Sequence, residues 1–147
     1  MIRIFFPAEK PKLKTEGGVE KIFCPIRKKW LKVIPEEWVR QNIILYLHLV
    51  LGYPLALIAV EKGIQVGELK KRFDVVVYNR DHQPYLLIEC KEMKVPLSED
   101  VLEQVLAYNT VLRAAIIVVT NGLHCAAVKS ENGKPVWLSE LPLMTDE

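Results

Sequence analysis

A spacing of three to four residues between apolar positions marks the first clear element of the chain. After Pro35 the apolar side chains recur at this helical period as far as Gly52, at Val39, Ile43, Ile44, Leu47, Val50 and Leu51. Proline suits the first turn of a helix, and the acidic Glu36 and Glu37 suit its positive end. Glycine at position 52 is a typical helix stop. The pattern therefore predicts one helix over residues 35–51.

Short runs of aliphatic and β-branched residues indicate strands after this helix. We predict a strand over residues 55–66, bent at Gly63, and two more over residues 72–78 and 85–91. Residues 79–84 are mostly polar, end in a proline and are typical of a turn. Because this connection is short, we expect the strands at 72–78 and 85–91 to pair as an antiparallel hairpin.

The second half of the chain predicts a helix and a further group of strands. Ser98 suits the N-cap position and is followed by acidic residues, so we predict a helix from there to about residue 112. Strands follow at residues 114–120, 124–129 and 135–138, with a hairpin turn at 131–134. A helix between neighbouring strands implies a right-handed crossover. The predicted fold class is therefore α/β, a mixed β-sheet flanked by helices in the order α-β-β-β-α-β with two strands after it.

Residues 1–30 show no comparable periodicity and contain several prolines and glycines. We interpret them as an arm with one short strand or helix. We place the domain boundary so that residues 1–25 form the N-terminal arm and residues 26–147 form one folded domain of ordinary size.

Composition narrows the class of protein. Half of the 147 residues are hydrophobic, so a full core can form and a disordered chain is excluded. Three cysteines without a CxxC pair argue against a disulfide framework and a cysteine-based zinc site. The N-terminal apolar run is too short for a signal peptide, and the run at 43–51 is about half of a membrane span. We expect a cytoplasmic protein without a membrane partner.

Positive charge is distributed unevenly, although the net charge is only +2. Basic residues cluster at 10–14, 27–29 and 70–72. Each cluster by itself is typical of a solvated surface, and the three together leave phosphate binding open. The three tryptophans are interpreted as packing anchors rather than base-stacking platforms: Trp30, Trp38 and Trp137.

An unusual group of charges interrupts the predicted hairpin. Glu89 and Lys91 end an apolar strand, and alternation along a strand places both side chains on one face. Asp74 lies among aliphatic residues in the partner strand, and antiparallel pairing brings it near Glu89. Two carboxylates about 4 Å apart repel by roughly 4 kcal/mol at an effective dielectric near 20. The group predicts either a Mg²⁺ site, which removes this repulsion, or an ordinary ion pair at an exposed sheet edge.

The order of these residues resembles a known signature. Arg72-Phe73-Asp74, followed by a strand with Glu89-Cys90-Lys91, is similar to the PD-(D/E)XK nuclease signature, although Phe73 stands in place of the proline. Further segments resemble one branch of it, the N-terminal domain of type I restriction enzyme R subunits and its small stand-alone relatives: residues 30–31, 35–41 and 51–54, the Gln104-x-x-x-Tyr108 motif and Thr120-Asn121-Gly122. The resemblance covers about residues 26–130 and implies a restriction-endonuclease-like core.

The resemblance assigns roles at the hairpin and on the first helix. It implies that Mg²⁺, or Mn²⁺ in its place, is bound by oxygen atoms of three residues: Asp74, Glu89 and, through its carbonyl, Cys90. Lys91 resembles the catalytic lysine, which orients the attacking water or stabilises charge on the phosphate. The supporting helix carboxylate is Glu37, with Glu36 as the rival choice.

The resemblance also implies contacts with the substrate. Gln104 and Tyr108 lie four apart and share one helix face, where they would touch the DNA backbone or position the site. Arg40 is either a surface residue or a phosphate contact. Arg72 directly precedes the Phe73-Asp74 pair and would pair with a carboxylate or a phosphate.

Together these features predict a magnesium-dependent deoxyribonuclease, a hydrolase of DNA phosphodiester bonds related to the nuclease domain of type I restriction enzymes. No motor motif is present, so we expect a stand-alone form, with protein partners that supply specificity or a motor. The alternative is a catalytically silent nucleic-acid-binding or assembly module of the same fold, which the near-neutral charge favours. RNA as substrate, endonucleolytic or exonucleolytic cleavage and the oligomeric state, a dimer included, stay open.

Overall fold

The computed structural model describes residues 1–66, 68–100, 103, 107 and 114–144, and shows a mixed α/β architecture dominated by strands. Its elements in chain order are β1 (Ile2–Arg3), β2 (Leu13–Glu16), β3 (Val19–Cys24), β4 (Lys29–Lys32), α1 (Pro35–Leu45), β5 (Ile58–Val66), β6 (Leu69–Tyr78), β7 (Pro84–Cys90), β8 (Ile116–Thr120), β9 (His124–Glu131) and β10 (Lys134–Trp137). A π-helical segment, Tyr46–Val50, extends α1, and a short 3₁₀ turn, Leu55–Leu57, precedes β5.

The first predicted helix is confirmed, with a change in its last turn. Pro35 starts α1 as expected, and Gly52 ends the helical segment at a φ of +86°. Between them the chain changes to π-helical geometry, in which the amide of Leu51 donates to the carbonyl of Tyr46 at 3.1 Å. The spacing of apolar residues did not predict this, because five residues are too few to separate the two helical periods.

In the part of the chain that the structure describes, the main sheet has seven strands, in the order β1-β9-β8-β7-β6-β5 with β10 beside β9. The predicted hairpin is confirmed: β6 and β7 are antiparallel, with Val75 opposite Ile88 and Val77 opposite Leu86. Strand β8 lies parallel to β7, as the predicted crossover requires. Glu99 and Asp100 are helical and directly follow Ser98, Glu103 and Ala107 are helical as well, and residues 101–102, 104–106 and 108–112 of the predicted helix lie outside the described residues.

The N-terminal third differs from the prediction of an arm with one short strand or helix, which is wrong. Strand β1 joins the main sheet beside β9, and β2, β3 and β4 form a separate antiparallel sheet. Gly17 and Gly18, with φ of +58° and +77°, supply the two positive φ values of a tight type I′ hairpin turn. The glycine pair was the signal available in the sequence, and in the structure buried Ile22 and Cys24 alternate with the partly exposed Lys21 and Phe23.

Two hydrophobic clusters cover the two faces of the main sheet. The α1 face combines the apolar side of α1 with strand residues that include Val75, Val77, Leu86 and Ile88. The opposite face contains Ala114 and five strand residues, Phe73, Val76, Leu87, Ile117 and Val119. Among the described residues, every helix is too short or too polar to cross a membrane.

Gly122, in the turn between β8 and β9, is a position where a larger side chain should destabilise the fold. Gly122 has a φ of +87°, and a Cβ there would lie 2.9 Å from Cζ of Phe6 and 3.4 Å from Cγ2 of Val39. Gly133 has a similar φ of +77°, but a Cβ there would meet nothing within 4 Å. Both alanine variants carry backbone strain, and only Gly122→Ala also overpacks the core.

We expect Gly122→Ala to lower the free energy of unfolding by roughly 1–3 kcal/mol more than Gly133→Ala does. Urea denaturation of both variants, followed by circular dichroism, measures this difference. Equal losses in the two variants would show that Phe6 moves aside without cost.

Candidate functional site

The candidate site lies at the open end of the β6–β7 hairpin, away from its turn, where β7 ends. The regular pairing of these strands stops at Val75 and Ile88, so Asp74 and Glu89 are the next residues on each strand. The Glu89 side chain is buried, whereas that of Asp74 is 21% exposed. The hairpin therefore brings two carboxylate residues to neighbouring positions at one end of a hydrophobic sheet.

A break in strand alternation decides which way Asp74 faces. Phe73 and Val75 are two residues apart, yet Phe73 belongs to the opposite face and Val75 to the α1 face. On the neighbouring strand β5, Glu61 has a φ of +51°, and the regular pairing omits Glu61 and Asp74. Such irregularities redirect side chains. Asp74 consequently contacts α1 rather than the opposite cluster.

Among the described residues, two hydrogen bonds hold the Asp74 carboxylate. Its Oδ2 accepts from the backbone N–H of Cys90 at 2.7 Å, and its Oδ1 accepts from Nη2 of Arg40 at 3.3 Å. The first bond ties β6 to β7 beside Glu89. The second ties the hairpin to α1. Burial raises the pKa of the Cys90 thiol well above its usual value, so this side chain is a neutral neighbour of the carboxylate.

Arg40 is the centre of a network of carboxylates, which we call the Arg40 cluster. Its Nη1 donates to Oε1 of Glu61 at 3.0 Å, and its Nε lies 3.7 Å from Oε2 of Glu37. Together with Asp74, three acidic side chains surround one guanidinium that is only 8% exposed. Arg27 lies 3.3 Å from Glu61 on the outer side. The sequence suggested a surface residue or a phosphate contact at Arg40, and the structure buries it.

The electrostatics of the cluster follow from its geometry. Burial by itself lowers the pKa of Arg40, but the hydrogen bond with Glu61 and the negative charges of Glu37 and Asp74 outweigh it, so the pKa is raised. The same hydrogen bond lowers the pKa of Glu61, and Arg27 adds to the effect. The guanidinium is therefore charged throughout the ordinary pH range and serves as counter-ion to the carboxylates.

The lowered pKa of Glu61 sets a pH dependence. Because the folded-state pKa lies below the unfolded value of about 4.3, the stabilisation is fully present above that value and is lost as pH falls through the folded pKa. As the pH is lowered from about 5 to 3, we expect the free energy of unfolding of Glu61→Gln to fall less than that of the wild type. The urea midpoint, measured across this range, tests it. Glu131→Gln, which removes an exposed partner of Lys129, is the control and should follow the wild type.

The two candidate helix carboxylates, Glu36 and Glu37, differ in how far they are buried. Glu37 is buried, accepts a hydrogen bond from Nε2 of Gln41 at 2.9 Å and faces the Arg40 cluster. Glu36 is exposed on the other side of α1. Of the two alternatives left open by the sequence, Glu37 is therefore the one placed beside the hairpin.

Glu89 and Lys91 occupy a different position from Asp74. Alternation along β7 places Glu89 on the same face as Leu87, and its parallel partner Val119 belongs to that face as well. Lys91 follows the last residue of β7, is partly exposed, and its amide donates to the carbonyl of Thr120 at 2.8 Å. Glu89 thus lies at the same end of the hairpin as Asp74 and points to the opposite face.

Of the remaining predicted residues, the structure describes Arg72 and the 120–122 motif. Arg72 is exposed on β6, opposite Gly63. Gln104 and Tyr108 lie outside the described residues. In the 120–122 motif, the Asn121 side chain has a structural role, since its Nδ2 donates to the carbonyl of Val95 at 2.8 Å. This bond ties the segment after β7 to the β8–β9 turn.

Sequence reasoning missed Glu61, although a signal was available. Glu61 follows the apolar run of residues 55–60, where the sequence continues with Glu-Lys-Gly. A glycine inside a strand often marks a bulge, and Gly63 lies two residues after Glu61. Its partner Arg40 lies 21 residues away in sequence, so pattern analysis alone did not connect them.

The donor atoms of the hairpin suit a hard divalent cation only in part. Carboxylate and carbonyl oxygens are the ligands that Mg²⁺ prefers, and Mg²⁺ needs only one or two carboxylates because it retains water. Within the described residues, however, no three side chains of histidine, cysteine, aspartate or glutamate converge to hold a metal. The guanidinium of Arg40 already neutralises Asp74. The residues therefore offer at most a metal site with few protein ligands.

Comparison with known proteins shows which family the chain belongs to. No curated protein matches the chain. A family model does match residues 35–142, a span that runs from the first residue of α1 past the end of β10 and includes Asp74, Glu89 and Lys91. On the strength of this match over most of its length, the chain belongs to the family of the type I restriction enzyme R protein N terminus.

Proposed function

We propose that this chain is a metal-dependent nuclease domain of the PD-(D/E)XK type that hydrolyses DNA phosphodiester bonds. The observation that carries the proposal is the hydrogen bond from the Cys90 amide to Asp74 at 2.7 Å. It holds the aspartate against the strand that carries Glu89 and is followed by Lys91, so the three residue types of the signature lie at one end of a hairpin. Membership of a restriction enzyme family supports the same chemistry.

The restriction-endonuclease-like core belongs to this proposal. Its support is the order of α1 followed by the antiparallel β5, β6 and β7, and then by β8 parallel to β7. The helical residues Glu99, Asp100, Glu103 and Ala107 lie in the connection between β7 and β8, as an α-β-β-β-α-β order requires. We also propose that protein partners supply its specificity.

Asp74 and the carbonyl of Cys90 are the groups that would hold Mg²⁺ or Mn²⁺, and Glu89 would join them if its side chain turned from the opposite face of the sheet toward Asp74. The bound ion would supply Lewis acidity toward the phosphate and lower the pKa of a water nucleophile. The chain's own groups do the rest. Lys91 is partly exposed beside the strand end, where its ammonium can contact a phosphate oxygen or orient the attacking water. Glu37, held by Gln41, positions Arg40 and through it Asp74.

A second candidate function rests on the Arg40 cluster. Its guanidinium already neutralises the carboxylate of Asp74, so the fold needs no metal ion to balance that charge. A catalytically silent module that binds nucleic acid or assembles with other subunits would retain this arrangement. The two candidates differ in a single property, which is whether the protein binds a divalent cation and then cleaves DNA.

The deciding experiment measures cleavage of linear duplex, supercoiled and single-stranded DNA with Mg²⁺, with Mn²⁺ and with a chelator. The nuclease proposal requires cleavage in either metal, none with chelator and none by Asp74→Asn. Asp81→Asn, an isosteric change in the exposed β6–β7 turn, is the matched control and should cleave as the wild type does. No cleavage, together with no heat of Mg²⁺ binding in calorimetry, would establish the silent module.

A further inference from the structure

The small sheet of β2, β3 and β4 has two unlike faces. On one face, Ile22 and Cys24 are completely buried, and Cys24 and Leu31 join the core on the α1 side of the main sheet. Alternation places the intervening residues on the other side, which we call the outer face. The register of the strands aligns Lys14 with Lys21 and Lys32, and Phe23 with Trp30. The outer face therefore has one row of lysines beside one aromatic pair.

The aromatic pair is partly exposed rather than packed in the core. The ring centroids of Phe23 and Trp30 are 5.3 Å apart with an interplanar angle of 61°, an edge-to-face arrangement. The Lys14 ammonium lies 4.5 Å from the centre of the Trp30 ring, and the Lys12 ammonium lies 5.7 Å from that of Phe23. Trp30, which the sequence predicts as a packing anchor, therefore packs against Phe23 while part of its ring stays exposed.

The charge of the outer face is strongly positive for its size. Lys12, Lys14, Lys21 and Lys32 are balanced on this side by Glu16, which pairs with Lys14 at 2.9 Å and with Lys21 at 3.2 Å. Each of these pairs is at least a third exposed on one side, so water screens it and a phosphate can replace the carboxylate. A basic surface arises here although the whole chain carries a net charge of only +2.

We infer that the outer face binds single-stranded nucleic acid, with bases stacked on Trp30 and Phe23 and phosphates on the surrounding lysines. An open antiparallel sheet with aromatic rings between cations provides both kinds of contact that an unpaired strand offers. A duplex keeps its bases stacked inside and would use only the lysines. An acidic protein segment would likewise leave the aromatic pair without a partner.

This surface is separate from the proposed cleavage site and does not depend on catalysis. The outer face belongs to the three-stranded sheet, whereas Asp74, Glu89 and Lys91 belong to the main sheet or follow it. In a nuclease, such a surface would hold the unpaired strand of its substrate. In a silent module, it would be the principal binding site.

The test measures the affinity of the full chain for a fluorescein-labelled 15-nucleotide oligothymidylate by anisotropy, with chelator present so that cleavage plays no part. Trp30→Ala should weaken binding by about 5- to 150-fold, the range that follows from 1–3 kcal/mol per stacked base. Trp30→Phe, which retains a stacking ring, should restore most of the affinity. Lys32→Ala should reduce the slope of log affinity against log salt by about 0.7.

Matched controls come from β10, on the main sheet. Trp137 is an exposed tryptophan and Lys134 an exposed lysine there, so Trp137→Ala and Lys134→Ala should bind as the wild type does. Binding of an oligouridylate of equal length is measured for comparison. Tighter binding of the oligothymidylate would identify DNA as the ligand and tighter binding of the oligouridylate would identify RNA, and either result supports the inference.

Three results would overturn it. The first is an equal loss of affinity in Trp30→Ala and Trp137→Ala. The second is absence of binding by the wild type at low salt. The third is binding of poly-glutamate as tightly as of oligothymidylate without any effect of Trp30→Ala, which would assign the face to an acidic protein partner.

Discussion

Replacing Lys91 with alanine is expected to lower the rate of metal-dependent DNA cleavage by about 10²- to 10³-fold, the cost of removing one group that stabilises charge in a transition state. Stability should change little, because the contact that fixes this residue belongs to its backbone. The Lys91 amide donates to the Thr120 carbonyl at 2.8 Å, and alanine retains that bond. The Lys91 side chain is partly exposed, and it takes part in no buried ion pair with another described residue.

Lys94→Ala is the matched control for this prediction. Lys94 lies three residues further on, in the same loop, and is more exposed than Lys91. Loss of cleavage in Lys91→Ala alone assigns the function to that ammonium. Equal cleavage by both variants and the wild type would remove Lys91 from the mechanism, and equal residual cleavage in all preparations, Asp74→Asn included, would identify a contaminating nuclease.

Replacing Arg40 with leucine is expected to lower the free energy of unfolding by about 3–5 kcal/mol, the usual cost of removing one partner from a buried ion pair. The variant leaves Glu37 and Asp74 without their cation in a largely buried setting. Glu61 is 40% exposed, so water stabilises it and it contributes less to the loss. Arg27→Leu, which removes a cation from the Glu61 side alone, should cost less than Arg40→Leu.

The loss of unfolding free energy in Arg40→Leu should become smaller at low pH. The hydrogen bond from Arg40 lowers the pKa of Glu61, and without that cation Glu61 takes up a proton more readily. The stability difference between wild type and variant should therefore shrink as pH falls below about 4. Urea denaturation at pH 7, 5 and 3.5 measures it. A difference that is constant across these values would show that the loss comes from packing alone.

Mg²⁺ offers a second readout of the same variant. If the hairpin carboxylates bind a divalent cation, removing the competing guanidinium raises their affinity for it, and Mg²⁺ should restore part of the lost stability by mass action. Arg27→Leu should gain nothing from Mg²⁺. Failure of Mg²⁺ to stabilise Arg40→Leu would favour the silent module over the nuclease.

The local elements of the fold were determined by the sequence itself. Helix α1, the β6–β7 hairpin and the buried strand β8 follow from apolar spacing, a short turn and a continuous aliphatic run, all of which lie within one segment. The placement of Asp74 and Glu89 at one end of the hairpin followed from the same reasoning, because a short turn fixes the register.

Only the tertiary structure decided how the charges of the site are arranged. Arg40 meets Glu61 and Asp74 across 21 and 34 residues of sequence, and it does so because α1 packs on the face to which Asp74 turns. The break in alternation at Asp74 separates it from Glu89, which the regular period would have placed on the same face. Periodicity within a segment specifies which side is apolar. The identity of the partner of a buried charge depends on which elements pack together, and that is a property of the whole fold.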